Sequence, residues 1–335
     1  MKKVSYRLSC VALFVSMMFF SSVNNALPAQ NPDNHVIRYG LSLPSCENVM
    51  IAAFEKGFIT AEGVNLELVK IAPGKQYELI GTGSVDSGLV LMEQAIQPLA
   101  NGLEAKIVTG LHSGCAMILA PKESGITKLG DLKGKRIGVH SFTAGSYMFA
   151  VRAISEAGIK AGTRDGEVEF VVLPNPELPL ALSRGAVDAI AVFDPVASLA
   201  VNEYGYTVVA SLASKEYASQ VCCAALVSNK FIAEHPEVAA RFTIALQKAA
   251  QWISEGNEEE LGKILFEKKY VSTSPELNTQ ILRSYRHDSE IYSIKNTSAT
   301  FAASSKALQK IGVLDSKVDV EALQKNSFVF LEGVK

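Results

Sequence analysis

The feature that most constrains this chain is an order of elements that occurs twice. Residues 36–43 read as a strand, 48–57 as a helix closed by Gly57, and 64–71 as a second strand. A short helix over 75–80 stops at Gly81 and Gly83 and feeds a third strand over 85–90. This βαβαβ order implies parallel pairing. Roughly 100 residues later the order returns, with strands at 136–139, 168–173 and 187–193 and helices at 147–157 and 178–184 that end at Gly158 and Gly185. Two short stretches echo in sequence: Gly83-Ser-Val-Asp-Ser-Gly-Leu-Val90 and Gly185-Ala-Val-Asp-Ala-Ile-Ala-Val192. Two copies make two lobes; a solenoid needs more repeats.

Between the copies, 106–109 and 116–120 read as strands and 124–135 as a polar, glycine-punctuated connection. The first crossing between lobes is expected near Ala120, and a strand over 221–227 carries the chain back. Pro236 then opens a helix on which Val238, Phe242, Ala245, Leu246, Ala249 and Ile253 keep helical spacing. The expected fold class is α/β, with two βαβαβ lobes joined by two crossing strands. Lobe 1 takes 36–120 plus 228–335 and lobe 2 takes 121–227, after an N-terminal leader over 1–26.

With 335 residues, 48% of them hydrophobic and 20% charged, the chain can bury two cores. The formal net charge is -2 with the signs mixed, so there is no basic stripe for nucleic acid and no polybasic tail for lipid. A small-molecule solute is the expected partner, no nucleic acid is expected, and a monomer is expected. Lys2, Lys3 and Arg7 precede an apolar run from Val11 to Phe20, followed by Ser21, Ser22 and Ala26. That is a secretory signal pattern cleaved near Ala26, too short to span a bilayer. Cys10 precedes the run, where a lipobox cysteine would follow it. A periplasmic location is therefore expected, with Cys46, Cys115, Cys222 and Cys223 in a compartment where disulfides persist.

In parallel sheets, ligands gather beyond the carboxyl ends of the strands, near helix N-termini with free N–H groups. The loops there supply Ser45, Cys46, Glu47, Asn48, Ser87, His112, Cys115, His140, Ser141, Thr143, Ser146, Tyr147, Glu177, Phe193 and Asp194 as candidate ligand-binding residues. Most also have a plain structural role. Ser141, Thr143 and Ser146 can cap a helix, Asp194-Pro195 can open one, and Glu47 can complement a helix N-terminus. Phe193 and Tyr147 are core residues or aromatic walls. The cysteines and histidines allow a soft-metal or thiol site, but His112-x-x-Cys115 is a weak spacing signal and adjacent cysteines rarely share one metal. No resident metal and no cofactor are expected; a bridge from Cys115 to Cys222 or Cys223 is a stronger prospect. Gly-x-Gly-x-x-Gly, Walker, His-Glu-x-x-His and Gly-x-Ser-x-Gly motifs are missing, which counts against an enzyme.

Five segments carry a family resemblance: Phe54-Glu-Lys-Gly-Phe-Ile-Thr-Ala-Glu-Gly-Val-Asn-Leu66, Asp131-Leu-Lys-Gly-Lys-Arg-Ile-Gly-Val139, Gly185-Ala-Val-Asp-Ala-Ile190, His235-Pro-Glu-Val-Ala239 and Gly312-Val-Leu. With them the chain resembles the substrate-binding proteins of the nitrate/sulfonate/taurine ABC importer group, which share a domain with the yeast thiamine pyrimidine synthase family. The resemblance implies a type II periplasmic-binding-protein fold with two crossing strands, hinge closure on a solute and an ABC permease in the inner membrane as partner. It also implies solute contacts from 44–48 and 140–146. A small oxyanion would want arginine or lysine at these loops, which instead hold Glu47, Glu177 and Asp194. A cationic, zwitterionic or heteroaromatic solute, such as an aminopyrimidine, fits better. Two other readings remain open: an enzyme resembling the pyrimidine synthase, using His112 or His140, and a periplasmic metal or thiol protein.

Overall fold

The structure, a computed structural model, describes residues 34–42, 45–161 and 165–335. The expected leader, its cleavage site and Cys10 lie outside the described residues. Among the described residues, ten strands form two five-stranded sheets. They are β1 (Val36–Leu41), β2 (Asn65–Lys70), β3 (Ser87–Leu91), β4 (Ala105–His112), β5 (Ala116–Ala120), β6 (Arg136–Val139), β7 (Glu169–Val172), β8 (Ala189–Phe193), β9 (Thr207–Ser211) and β10 (Cys223–Ser228). The orders are β2-β1-β3-β10-β4 and β7-β6-β8-β5-β9. In each sheet the first three strands are the parallel trio that the repeat implied.

The fourth strand of each sheet is antiparallel and arrives from a crossing. Strand β10 pairs with β3 and β4, and β5 pairs with β8 and β9. Because Ala116–Ala120 belongs to the second sheet, the chain leaves the first sheet at 113–115 and not near Ala120. It returns through 212–222. Both inserted strands are buried along their whole length, which is why they read as unbroken apolar runs.

The echoed glycine and aspartate segments share one structural job. Arg38 donates through its backbone N and Nε to Asp86 Oδ2, both at 2.9 Å, and through Nη2 to Asp86 Oδ1 at 2.7 Å and Gly83 O at 2.8 Å. Arg136 donates to Asp188 Oδ2 through its backbone N at 2.8 Å and Nε at 3.4 Å, and through Nη2 to Gly185 O at 2.9 Å. The backbone N–H groups of Asp86 and Asp188 return bonds to the Arg38 and Arg136 carbonyls at 2.8 Å. Each aspartate thus locks the start of the first strand of its trio to the start of the third. The opposite ends of the same strands are left to open onto loops.

The helix Pro236–Ser254 begins on proline and buries Val238, Phe242, Ala245, Leu246, Ala249 and Ile253 along one face. It packs on the helix Asn48–Glu55 and on β4. Strand β4 also meets the C-terminal segment through Gly110, where a Cβ would run into the Ile291 carbonyl and the Thr297 hydroxyl. The C-terminal helices therefore seat directly against the first sheet.

The two clamps differ in exposure, with the Asp86 side chain 12% exposed and that of Asp188 34%. We expect Asp86→Ala to lower the unfolding free energy by about 1.5–3 kcal/mol in urea melts, and Asp188→Ala to cost less. The Arg136 backbone N–H, aided by its guanidinium, holds the Asp188 carboxyl below its ordinary value. Its stabilisation is in place above the unfolded value, near about 3.9, and is lost as pH falls through the lower folded value. Asp188→Asn should remove that part of the acid-side loss, and an unchanged acid limb would contradict the clamp.

Candidate functional site

The carboxyl end of β1 leads to the start of the helix Asn48–Glu55, where Ser42 meets Glu47. Tyr39 and Ser87 are register partners on adjacent strands, and both are fully buried. Glu47, also fully buried, takes the cap position of the helix but turns its carboxylate back, so that Oε1 accepts from Ser42 N at 2.7 Å. The Tyr39 phenol is pushed well above its ordinary value by burial and then by the neighbouring Glu47 carboxylate. Asn48 donates through Nδ2 to Ser45 O at 3.1 Å and accepts from His287 Nε2 at 3.0 Å. Ser87 Oγ and Gln76 Oε1 are buried with no hydrogen-bond partner among the described residues.

His112 ends β4 and is fully buried. Its Nε2 lies 2.9 Å from Cys46 O and its Nδ1 lies 3.1 Å from Ser113 O. Burial pulls its pKa down to about 4, so the ring is neutral at neutral pH, and its single N–H serves only one of the two carbonyls. The ring stacks on Tyr285 at 4.7 Å between centroids. Directly opposite His112 across the β4–β10 pair stands Cys223. Cys115 and Cys222 are disulfide-bonded with Cα atoms 6.7 Å apart, and Cys46 and Cys223 are free and buried. The expected bridge thus uses the first of the adjacent pair. Cys223 Sγ lies 3.8 Å from Cys115 Sγ, and its thiol is pushed up by burial and by a hydrogen bond with Cys46.

Residues of the second sheet approach from the other side. The helix Gly145–Glu156 starts two residues before the expected Tyr147, with Ala144 at its cap and no side-chain cap bond. Ser141 and Thr143 therefore do not cap it; their hydroxyls bond each other at 2.7 Å. Ser146 and Tyr147 are buried, and Tyr147 packs edge-on against Phe142 and Phe170. Phe193 and Leu91 both crowd Gly145, which brings the start of this helix against the end of β3. A narrow cavity there is lined by Leu91, Glu93, Gly145, Arg152, Phe193 and Cys222. Inside it Arg152 Nε donates to Glu93 Oε1 at 2.5 Å, with Glu156 and Gln220 as its further partners.

Asp194 is buried and joins the second sheet to the C-terminal helices. Its Oδ1 accepts from the Ser198 backbone N at 3.0 Å and from Ser198 Oγ at 2.6 Å, and its Oδ2 accepts from the Tyr285 hydroxyl at 2.8 Å. It thus serves the first turn of the helix Val196–Tyr204, as Asp194-Pro195 suggested, although the proline sits at the cap and not inside. Burial raises its carboxyl against these bonds.

The structure therefore brings Ser45, Cys46, Glu47, Asn48, His112 and Cys115 to one rim, where Asp194 reaches His112 through the shared Tyr285, whereas Ser87 starts β3, at the other end of that strand from the level of Cys223 and His112. His140 and Glu177 are exposed, in loops that follow β6 and β7 of the second sheet. Sequence reasoning missed Tyr39, Gln76, Tyr77, Tyr285 and His287. The first three carried a signal, standing at a strand's carboxyl half and at a helix start. The last two carried none, being more than 170 residues from the end of β4 that they cover.

A family model described as NMT1/THI5 like matches residues 48–260. A putative aliphatic sulfonates-binding protein of Bacillus subtilis is 25% identical, over 95% of this chain and 94% of the relative. The alkanesulfonate-binding protein of Xanthomonas axonopodis pv. citri, bound to MOPS, matches with a TM-score of 0.70 at 18% identity, covering 86% of this chain and 97% of that one. The periplasmic nitrate-binding protein of Synechocystis PCC 6803 also gives 0.70, at 17% identity over 89% and 86%. The two-sheet architecture is thus that of the periplasmic binding proteins.

The disulfide joins residues 107 apart, across both crossings. For a loop of that size, reduction should lower the unfolding free energy by about 3–5 kcal/mol. Non-reduced peptide mapping should recover Cys115 linked to Cys222, with Cys46 and Cys223 alkylated only after unfolding. A Cys115–Cys223 peptide would contradict the assignment.

Proposed function

The chain belongs to the NMT1/THI5-like family, and from that premise we propose that it is the extracytoplasmic solute-binding protein of an ABC importer. In this reading a leader cleaved near Ala26 delivers it to the periplasm, its two sheet-bearing halves close on one small molecule, and the loaded form docks on an inner-membrane permease. Among the described residues no helix is long and apolar enough to cross a membrane. The relatives named above are binding proteins, not enzymes.

The observation that carries the reading is a pair of buried polar groups beside the carboxyl half of β1, one on Ser87 at the start of β3 and one on Gln76 at the start of the helix Gln76–Gly81. Ser87 Oγ and Gln76 Oε1 lack partners there. A buried polar atom left unpaired costs about 1–3 kcal/mol, and such groups are normally satisfied. Buried side by side with no partner in a binding-protein fold, they are groups kept for a ligand.

Charge narrows the ligand. Glu47 and Tyr39 bring a carboxylate, already accepting from Ser42, and a phenol to the rim, while the Arg152 guanidinium is bonded to Glu93 and Glu156. A cationic, zwitterionic or amino-substituted heteroaromatic solute is therefore favoured over nitrate or a sulfonate. Thermal-shift screening of the purified protein against aminopyrimidines, amines, alkanesulfonates and nitrate should show stabilisation by one of the first two classes. For that solute, Glu47→Gln should weaken binding by about 10–100-fold, as loss of a charge-assisted bond predicts. Stabilisation by taurine or an alkanesulfonate alone would refute the assignment of solute class.

A further inference from the structure

Cys46, His112 and Cys223 are all buried, and their donor atoms lie within 4.8 Å of one another. They come from three separate elements: the turn before the helix Asn48–Glu55, the end of β4 and the start of β10. We propose that these three residues hold a single zinc(II) ion at the rim of the first sheet. This goes beyond the solute reading and does not depend on it.

The donor set argues for a thiophilic ion. Two cysteine sulfurs and one imidazole nitrogen suit zinc far better than a hard cation. A second trio, Cys115, Cys222 and Cys223, is equally close, but two of its sulfurs are consumed by the disulfide. In the proposed trio both cysteines are free. Tetrahedral zinc at about 2.0–2.3 Å from its donors sets them roughly 3.5–3.8 Å apart. The trio need contract by no more than about 1 Å along its longest edge to meet that geometry.

His112 supplies a second, independent observation. A neutral imidazole has one N–H, yet both ring nitrogens face backbone carbonyl oxygens. One nitrogen lone pair is therefore opposed to an oxygen lone pair in a fully buried site. With the proton on Nδ1, donated to Ser113 O, the unsatisfied nitrogen is Nε2, which faces the Cys46 carbonyl at 2.9 Å, and an ion on Nε2 requires that carbonyl to turn aside. That is the arrangement of a metal-binding histidine, whose other ring nitrogen donates to a backbone carbonyl and so fixes the tautomer. An ion in the trio gives Nε2 the electrophile it lacks.

The charge balance selects a divalent ion. On binding, each thiol loses its proton to solvent, so two protons leave as one zinc enters, with no change of oxidation state. The two thiolates cancel the zinc charge and leave a neutral site close to the buried Glu47 carboxylate. Copper(I) would leave a net negative charge there. Three protein donors leave one position of a tetrahedral ion for water or for a donor atom on a solute.

The test uses the full chain stripped with chelator and handled without oxygen. Titration with zinc against a chromophoric chelator should show one equivalent bound and about two protons released per ion. Cobalt(II) in its place should give tetrahedral d–d bands and a thiolate charge-transfer band sized for two sulfurs. Cys46→Ser and Cys223→Ser should each weaken zinc by at least about 100-fold, while the Cys115→Ser/Cys222→Ser double variant should stay within about threefold of the parent. If a cysteine variant does not fold, the cobalt spectrum and proton count of the unaltered protein still decide. Failure to bind one equivalent, binding that survives both Cys46→Ser and Cys223→Ser, or uptake of copper(I) but not zinc would each overturn the proposal. Solute stabilisation of the metal-free protein reports separately on the importer reading.

Discussion

Strand β10 is the constraint on which the rest of the molecule depends. It enters antiparallel between β3 and β4, is buried along its length and completes the first sheet only after the chain has built the second. The second sheet is completed in the reciprocal way by β5, which arrives from the first crossing. Each sheet therefore holds its parallel trio by local bonds and its fourth strand by non-local ones. Neither can finish alone, since an open edge beside β3 or β8 would expose a row of unpaired backbone groups. The disulfide from Cys115 to Cys222 staples the two crossings close to where these inserted strands meet the rim.

The same insertion decides the chemistry of the rim. Antiparallel pairing sets Cys223 opposite His112, and the turn before the first helix adds Cys46 and Glu47. Around them the packing is close, yet the polar groups are incompletely served. His112 has two carbonyls for one proton, and Ser87 and Gln76 hold oxygens with no partner among the described residues. The nearby Arg152 is well served, by Glu93, Glu156 and Gln220.

Much of the architecture was legible because the repeat is a pattern of short-range signals. Glycine stops, strand-length apolar runs and the doubled Gly-x-Val-Asp all act within a few residues, and the clamps of Asp86 and Asp188 show why that doublet recurs. The crossing at 113–115 was misplaced because a buried antiparallel strand and a buried parallel one have the same apolar texture. Tyr285 and His287 could not be found at all, since only the folding of the C-terminal helices over β4 brings them to His112.

By itself, then, the sequence determined two parallel α/β units and the echoed Gly-x-Val-Asp segments that stop a helix and start a strand. These follow from hydrophobic period and turn chemistry, which are local. The tertiary structure decided which cysteine of the adjacent pair enters the disulfide, which thiol stands beside His112, and which polar oxygens are buried without a partner. Those outcomes depend on strand register and on contacts between residues far apart in the chain. A one-residue change of register would turn Cys223 to the other face of the sheet, and nothing in the local pattern records that choice.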